Sequence, residues 1–360
     1  MALKEFLSKL ERMGLDNLKE PIINFLIELY SAGKSAPFQK VWYTGRKSRE
    51  ERLLNVDGEV LKILSQLNLI RSTRKCNESS AGWTLYEISL TRLGEDIASE
   101  AMNERLRSEI SNLVDLLKEY PKTLLKILAE DMIALKPLHE IPIGWAFMEV
   151  PPLISKIKKD PAWSYGSDSI YRSEIEWVLE RARIQSEKSG IKLDTREGLE
   201  KYFWIAVSWH PLFRERCETL LRKLVDLGLA AFKSLYTKTC HNYSDVYIIP
   251  PQVVSFIKSE VRDYNKPSRE MLTEFLYEVI LIKARKKITR EECISLLRLL
   301  DLTEREFSEY LDKLSTKGLT SGYDMLSRMS DTPFIVRDEE GLMQELGNRF
   351  KIAISLLLTK

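Results

Sequence analysis

Few residues in this 360-residue chain could bind a metal or act as nucleophiles: three histidines (His139, His210, His241) and four cysteines (Cys76, Cys217, Cys240, Cys293). His210, Cys217, Cys240 and His241 share one stretch, and such a set would offer a two-Cys, two-His zinc site. The spacing argues against it. Adjacent Cys240 and His241 seldom reach one ion together, and Cys217 lies on the apolar side of a helix, where a free cysteine is a small buried side chain. No cofactor or metal is expected. The phosphate cradles G-x-x-x-x-G-K-[ST] and G-x-G-x-x-G are absent, as are H-E-x-x-H and G-x-S-x-G. Carboxylates alternate with Lys and Arg at helical spacing, the pattern of solvated i,i+4 pairs. The expectation is therefore a protein that is not an enzyme, with a metal-dependent nuclease as the minor alternative.

The remaining chemistry is that of cations against phosphate. Net charge is only +2, so nucleic-acid contacts must come from local patches that neutralise several phosphates together. Three patches qualify. Arg46, Lys47 and Arg49 lie in one basic run, and Arg71, Arg74 and Lys75 follow with no acid until Glu78. The third patch carries Arg214, Arg216, Arg222 and Lys223, then Lys233 and Lys238, with no acid between Ala230 and Ser244. Arginine there could also read guanine edges bidentately.

The elements that must hold these residues recur along the chain. Val60–Ile70 reads as an apolar-periodic helix ending in Leu67-Asn68-Leu69-Ile70. A polar, basic stretch follows, then the alternating strand Trp83–Ile88 and a helix opened by Thr91. The layout returns in Cys217–Leu229, stopped at Gly228, with the strand Val246–Ile249 and a helix after Pro250-Pro251. It returns again in Phe307–Leu319, with the strand Phe334-Ile335-Val336 and a helix after Asp338. The third copy is acidic: Glu304, Glu306, Glu309 and Asp312 oppose Arg305 and Lys313, so phosphate would repel it. Elsewhere, Ile22, Phe25, Leu26 and Leu29 build one helical face. Gly190 stops a helix begun near Asp168, and Ser268 caps another.

Helix, charged hairpin, strand and Thr-initiated helix, with Tyr86 in the strand leading into Leu90-Thr91-x-x-Gly94, resemble the winged helix-turn-helix superfamily. The implied fold is mostly α with small β-hairpin wings (α+β): three tandem winged-helix modules with a helical insert. The expected segments are 1–100 (winged helix 1 with an N-terminal helical extension), 101–195 (helical middle region), 196–265 (winged helix 2) and 266–360 (winged helix 3). In this fold the third helix can enter the major groove while the wing lies over the backbone. The implied partner is double-stranded DNA, contacted through the second module and the first wing. The third module is left for a protein partner or self-association. A composition rich in Lys and Glu with only five glutamines is thermophile-like. It resembles that of archaeal proteins among which winged-helix transcription regulators and replication-origin initiators occur. A protein-interaction scaffold is the competing reading, favoured by the near-neutral charge and the acidic third copy. With no disulfide framework, no signal-like N-terminus and no long apolar run, a cytoplasmic protein without a membrane partner is expected.

Overall fold

Helices in this chain start and stop where side chains or left-handed residues can satisfy the backbone. The computed structural model describes residues 2–31, 35–41, 58–78, 83–129, 147–149, 174–237, 242–261, 267–285, 288–324 and 332–359. It is mostly helical, with two small antiparallel sheets. No helix among the described residues is long and apolar enough to cross a membrane. The chain divides into two compact units that interleave along the sequence. Unit 1 holds Met1–Tyr120, Leu135–Val150 and Glu218–Arg262; unit 2 holds Pro121–Ala134, Pro151–Cys217 and Asp263–Lys360. One division falls at 262/263 and another at Cys217/Glu218, inside the expected segment 196–265.

Unit 1 opens with helices α1 (Ala2–Arg12) and α2 (Lys19–Ser31). The α2 face expected from spacing is the buried one, with Ile22, Leu26 and Leu29 wholly out of water and Phe25 nearly so. Burial of each such side chain contributes about 1.5–3 kcal/mol. Strand β1 (Ser35–Val41), helix α3 (Gly58–Gln66), strands β2 (Ile70–Glu78) and β3 (Trp83–Leu90), and helix α4 (Arg92–Lys118) follow. The sheet order is β1-β3-β2, with Ser35 opposite Ser89 and Ile70 opposite Leu90. On α4, Leu113, Leu116 and Leu117 are buried, whereas Ile110 is 43% exposed.

The second sheet repeats that order. Strand β4 (Phe147–Glu149) pairs antiparallel with β6 (Asn242–Ile248), which pairs with β5 (Ala231–Thr237). Strand β4 falls within 101–195, the segment expected to be a helical middle region, so it is an addition to that expectation. Helix α9 (Pro251–Glu260), with Pro250 as N-cap, follows β6, as expected after Pro250-Pro251.

Unit 2 is helical around an aromatic core. Among its helices are α5 (Lys122–Ala129), α6 (Glu174–Lys188), α7 (Arg196–Trp209), α10 (Arg269–Ala284), α11 (Arg290–Leu297), α12 (Glu304–Ser315) and α13 (Glu339–Leu358). Phe275 packs edge-on against Phe203 at 5.2 Å and stacks with Phe350 at 5.8 Å. Ser268 caps α10 by accepting the Met271 N–H. The two short helices α11 and α12 open with full capping boxes, Thr289 with Glu292 and Thr303 with Glu306. The strand expected at Phe334-Ile335-Val336 is reduced to one bridge, Thr320 opposite Val336. The Ile335 N–H goes to the Ser321 hydroxyl rather than to a carbonyl, and Pro333 has no N–H to give, so no regular ladder can form.

The three recurring blocks end their helices identically. Asn68, Gly228 and Gly318 adopt φ of 57, 67 and 74°. The N–H groups of Leu69, Leu229 and Leu319 reach back to the carbonyls of Leu64, Leu224 and Leu314 at 2.9, 2.8 and 3.0 Å. This is the Schellman closure. It also ends helices at Gly14, Gly190 and Asp301, so it is a general device of this chain and does not by itself mark the repeats.

Candidate nucleic-acid interface

The helix before the second hairpin is α8 (Pro211–Asp226), whose residues to Cys217 belong to unit 2 and from Glu218 to unit 1. That division sorts the basic residues expected on it. Arg222 and Lys223 are accessible and lie in unit 1 with both hairpins. Arg222 is 71% exposed and pairs with Glu218 one turn earlier. Lys223 pairs with Glu119, and its ammonium stands 5.7 Å from the Tyr120 ring centre.

Arg214 is not at the surface, which corrects the expectation for it. It is 4% exposed, its Nε donates to the Ser208 carbonyl at 2.6 Å, and its guanidinium stacks 4.4 Å over Trp209. The reason is periodicity: Arg214, Cys217 and Leu221 stand at i, i+3 and i+7, on the buried face of α8. A cation beside the last carbonyls of α7 also complements that helix's dipole. Such a residue holds two helices together and cannot reach a phosphate. Arg216 is exposed, but its Nη1 donates to the Leu358 carbonyl at 3.0 Å within unit 2.

In the first hairpin, Arg71 is exposed on β2, opposite Ser89. Arg74 pairs with Tyr86 and Cys76 with Leu85, so Lys75 is the extra residue of a β-bulge. Bulges bend the strand and raise its twist, re-aiming neighbouring side chains. Lys233 sits on β5 opposite Val246. The side chains of Arg74, Lys75 and Lys233 lie outside the described residues, as do Arg46, Lys47, Arg49 and Lys238 altogether.

No family model, curated protein or solved structure matches the chain. Its chemistry is therefore read from its own side chains.

The two candidate zinc residues that are described have other roles. The His210 ring is buried. Its Nε2 is 3.1 Å from Glu174, while its Nδ1 accepts the Leu212 N–H at 3.3 Å. An accepting Nδ1 carries no proton, so this imidazole is neutral. Burial lowers its pKa to about 4, with Lys351 adding to the effect. The Glu174 carboxylate acts in the opposite sense, but it is 44% exposed and solvent weakens it. Cys217 is buried, and burial raises its thiol far above the usual range. Cys240 and His241 lie outside the described residues. Among the described residues, no group of three or more His, Cys, Asp or Glu could hold a metal ion.

The acidity of α12 has a structural explanation that spacing alone did not reveal. Glu304 receives both Nε and Nη2 of Arg290, at 2.8 and 3.0 Å, and the Tyr323 hydroxyl at 2.6 Å. Those donors hold its carboxyl below the usual glutamate value. Glu306 closes its capping box, and Glu309 pairs with Arg305. The helix is acidic largely because its first turn is tied down.

Proposed function

We propose that this protein binds double-stranded DNA as a winged-helix regulator of transcription or replication-origin initiator. The proposed contacts are Arg222, Lys223 and the hairpins β2–β3 and β5–β6 of unit 1. The observation that carries the reading is the repeated sheet order. Among the described residues α3 alone stands between β1 and its hairpin, whereas α6, α7 and α8 stand between β4 and its hairpin. In both sheets, however, a strand from earlier in the chain pairs with the last strand of the hairpin. A winged helix needs this arrangement, and both hairpins lie where the sequence concentrates Lys and Arg. Arg71 adds an exposed cation on β2, Arg74, Lys75 and Lys233 are the basic residues of the strand sequences, and Arg216 is a flanking residue. Arg214 is excluded by burial.

The pairing of Arg222 with Glu218 and of Lys223 with Glu119 favours the competing scaffold reading, because both cations already have partners. The weakness of such pairs answers that objection. Exposed ion pairs contribute little because solvent screens them, so a phosphate that releases counterions can displace the carboxylate. The third copy, with its acidic helix and single-bridge hairpin, is assigned to a protein partner or self-association.

Fluorescence anisotropy on a labelled random duplex tests the proposal. The protein should bind at low salt and weaken steeply as salt rises. Arg222→Glu/Lys223→Glu should weaken binding and flatten the log–log salt slope by about 2, roughly one per lost phosphate contact. Absence of binding at low salt, or an unchanged slope in the variant, would remove DNA as the partner.

A further inference from the structure

Unit 1 contains a groove of about 1090 Å³, open to solvent and lined by α1, α2, α4 and the turn from α8 into β5. Its floor is apolar. Leu7, Ile23, Ile27 and Phe232 line it, and Phe232 leaves 44% of its surface in water although it is a large aromatic. Its rim is acidic: Glu20, Glu28, Glu104, Glu109 and Asp226 face only Lys19 and Arg105.

Both cations are already engaged. Lys19 holds Glu11 at 2.6 Å and Asp16 at 2.7 Å. Arg105 reaches Asn24 at 2.8 Å, Glu20 at 3.2 Å and the Gly228 carbonyl at 3.4 Å. An anionic ligand would find no spare cation here and would meet a negative potential. The groove's excess of carboxylates would repel nucleic acid.

We infer that this groove docks a basic, amphipathic helical segment of a partner protein. Apolar residues spaced i, i+3, i+4 and i+7 would anchor on Phe232 and the isoleucines, while flanking Lys or Arg would meet the carboxylate rim. A small organic cation fits less well. Ligand pockets of about 300–1,000 Å³ enclose most of their ligand, whereas this groove is larger and lies open. The inference does not rest on the DNA reading: the groove shares Ala231, Phe232 and Ile248 with the β5–β6 hairpin, but none of the cations proposed for DNA lines it.

The test is fluorescence anisotropy of the full chain with a labelled synthetic helical peptide, leucine at the four anchor positions and lysine elsewhere. The comparison peptide has glutamate in place of lysine. The lysine peptide should bind about tenfold tighter or more. Glu104→Lys/Glu109→Lys should reverse that preference, and Phe232→Ser should weaken the lysine peptide with the charges intact. A control reversal in unit 2, Glu197→Lys/Glu291→Lys, should leave both affinities unchanged. Equal affinity for the two peptides, or an equal loss in the control, would overturn the inference. Duplex binding by the groove variant should persist, which separates this outcome from failure of the DNA reading.

Discussion

Replacing a helical glycine by alanine should destabilise this protein at Gly94 and stabilise it at Gly347. Both glycines lie inside helices, α4 and α13, where alanine is favoured by about 0.8–1 kcal/mol on propensity alone. The surroundings differ. A Cβ at Gly94 would stand 2.2 Å from the Leu69 carbonyl oxygen, 3.1 Å from its carbon and 3.2 Å from Leu90 Cδ2. That oxygen cannot simply retreat. It accepts the Thr91 N–H at 2.9 Å and the Thr91 hydroxyl at 3.2 Å, and Thr91 in turn accepts the Gly94 N–H at 3.2 Å. Overpacking of about 1–3 kcal/mol and loss of one or two hydrogen bonds of about 1 kcal/mol each outweigh the propensity gain. The net expectation is about 2–3 kcal/mol of destabilisation, or roughly 5–10 °C in Tm for a unit of this size. At Gly347 the nearest atom is Ile175 Cγ2 at 3.9 Å, an ordinary contact. There the propensity term survives and Tm should rise by about 2–4 °C. Differential scanning calorimetry of the two variants decides. A neutral or stabilising Gly94→Ala, or shifts of the same sign in both, would refute the packing argument.

Two pH effects follow from buried groups. Burial raises the Glu278 carboxyl well above 4.5, with Glu274 adding to the effect and Arg349 opposing it. The native state then keeps a proton that the unfolded chain loses, so stability falls as pH rises from about 4.5. Glu278→Gln should gain stability relative to the parent between pH 5 and 8, read as urea midpoints; parallel pH curves would sink the idea. For His210 the sign is reversed. Its native pKa of about 4 lies below the unfolded 6.5, so its contribution is present above 6.5 and is lost as pH falls towards 4. The loss is up to about 3 kcal/mol, and His210→Gln should flatten the urea midpoint between pH 7 and 4.5. A slope unchanged by the substitution would rule this out.

Local signals were the most legible. The stops at Gly190 and Gly228, the caps at Thr91 and Ser268, and the buried face of α2 could all be read because each depends on a few adjacent residues. Pairing across distance could not. Strand β4 is only Phe147–Glu149 among the described residues, and its partner β6 lies about a hundred positions later, so no local pattern announces it. Arg214 shows a different failure: its charge suggested the surface, while its spacing from Cys217 and Leu221 had already placed it inside. The carboxylates of α12 were read as a repelling surface because the Arg290–Glu304–Tyr323 cluster joins residues far apart in sequence, whereas the capping box Thr303–Glu306 was a local signal that could have been read. The acidic groove escaped notice for the same reason, its lining being drawn from both ends of unit 1.

Because the two units interleave, neither can be cut out as one continuous fragment. During synthesis the first 120 residues of unit 1 must wait until residue 262 has left the ribosome before the last of their partners arrive, while parts of unit 2 emerge in between. Chains normally complete one domain before the next begins. Here the emerging chain holds unfinished apolar surface from both units at once. Heterologous expression and truncation series should be planned around that ordering, because a cut near residue 120, 150 or 217 separates segments that belong to one unit.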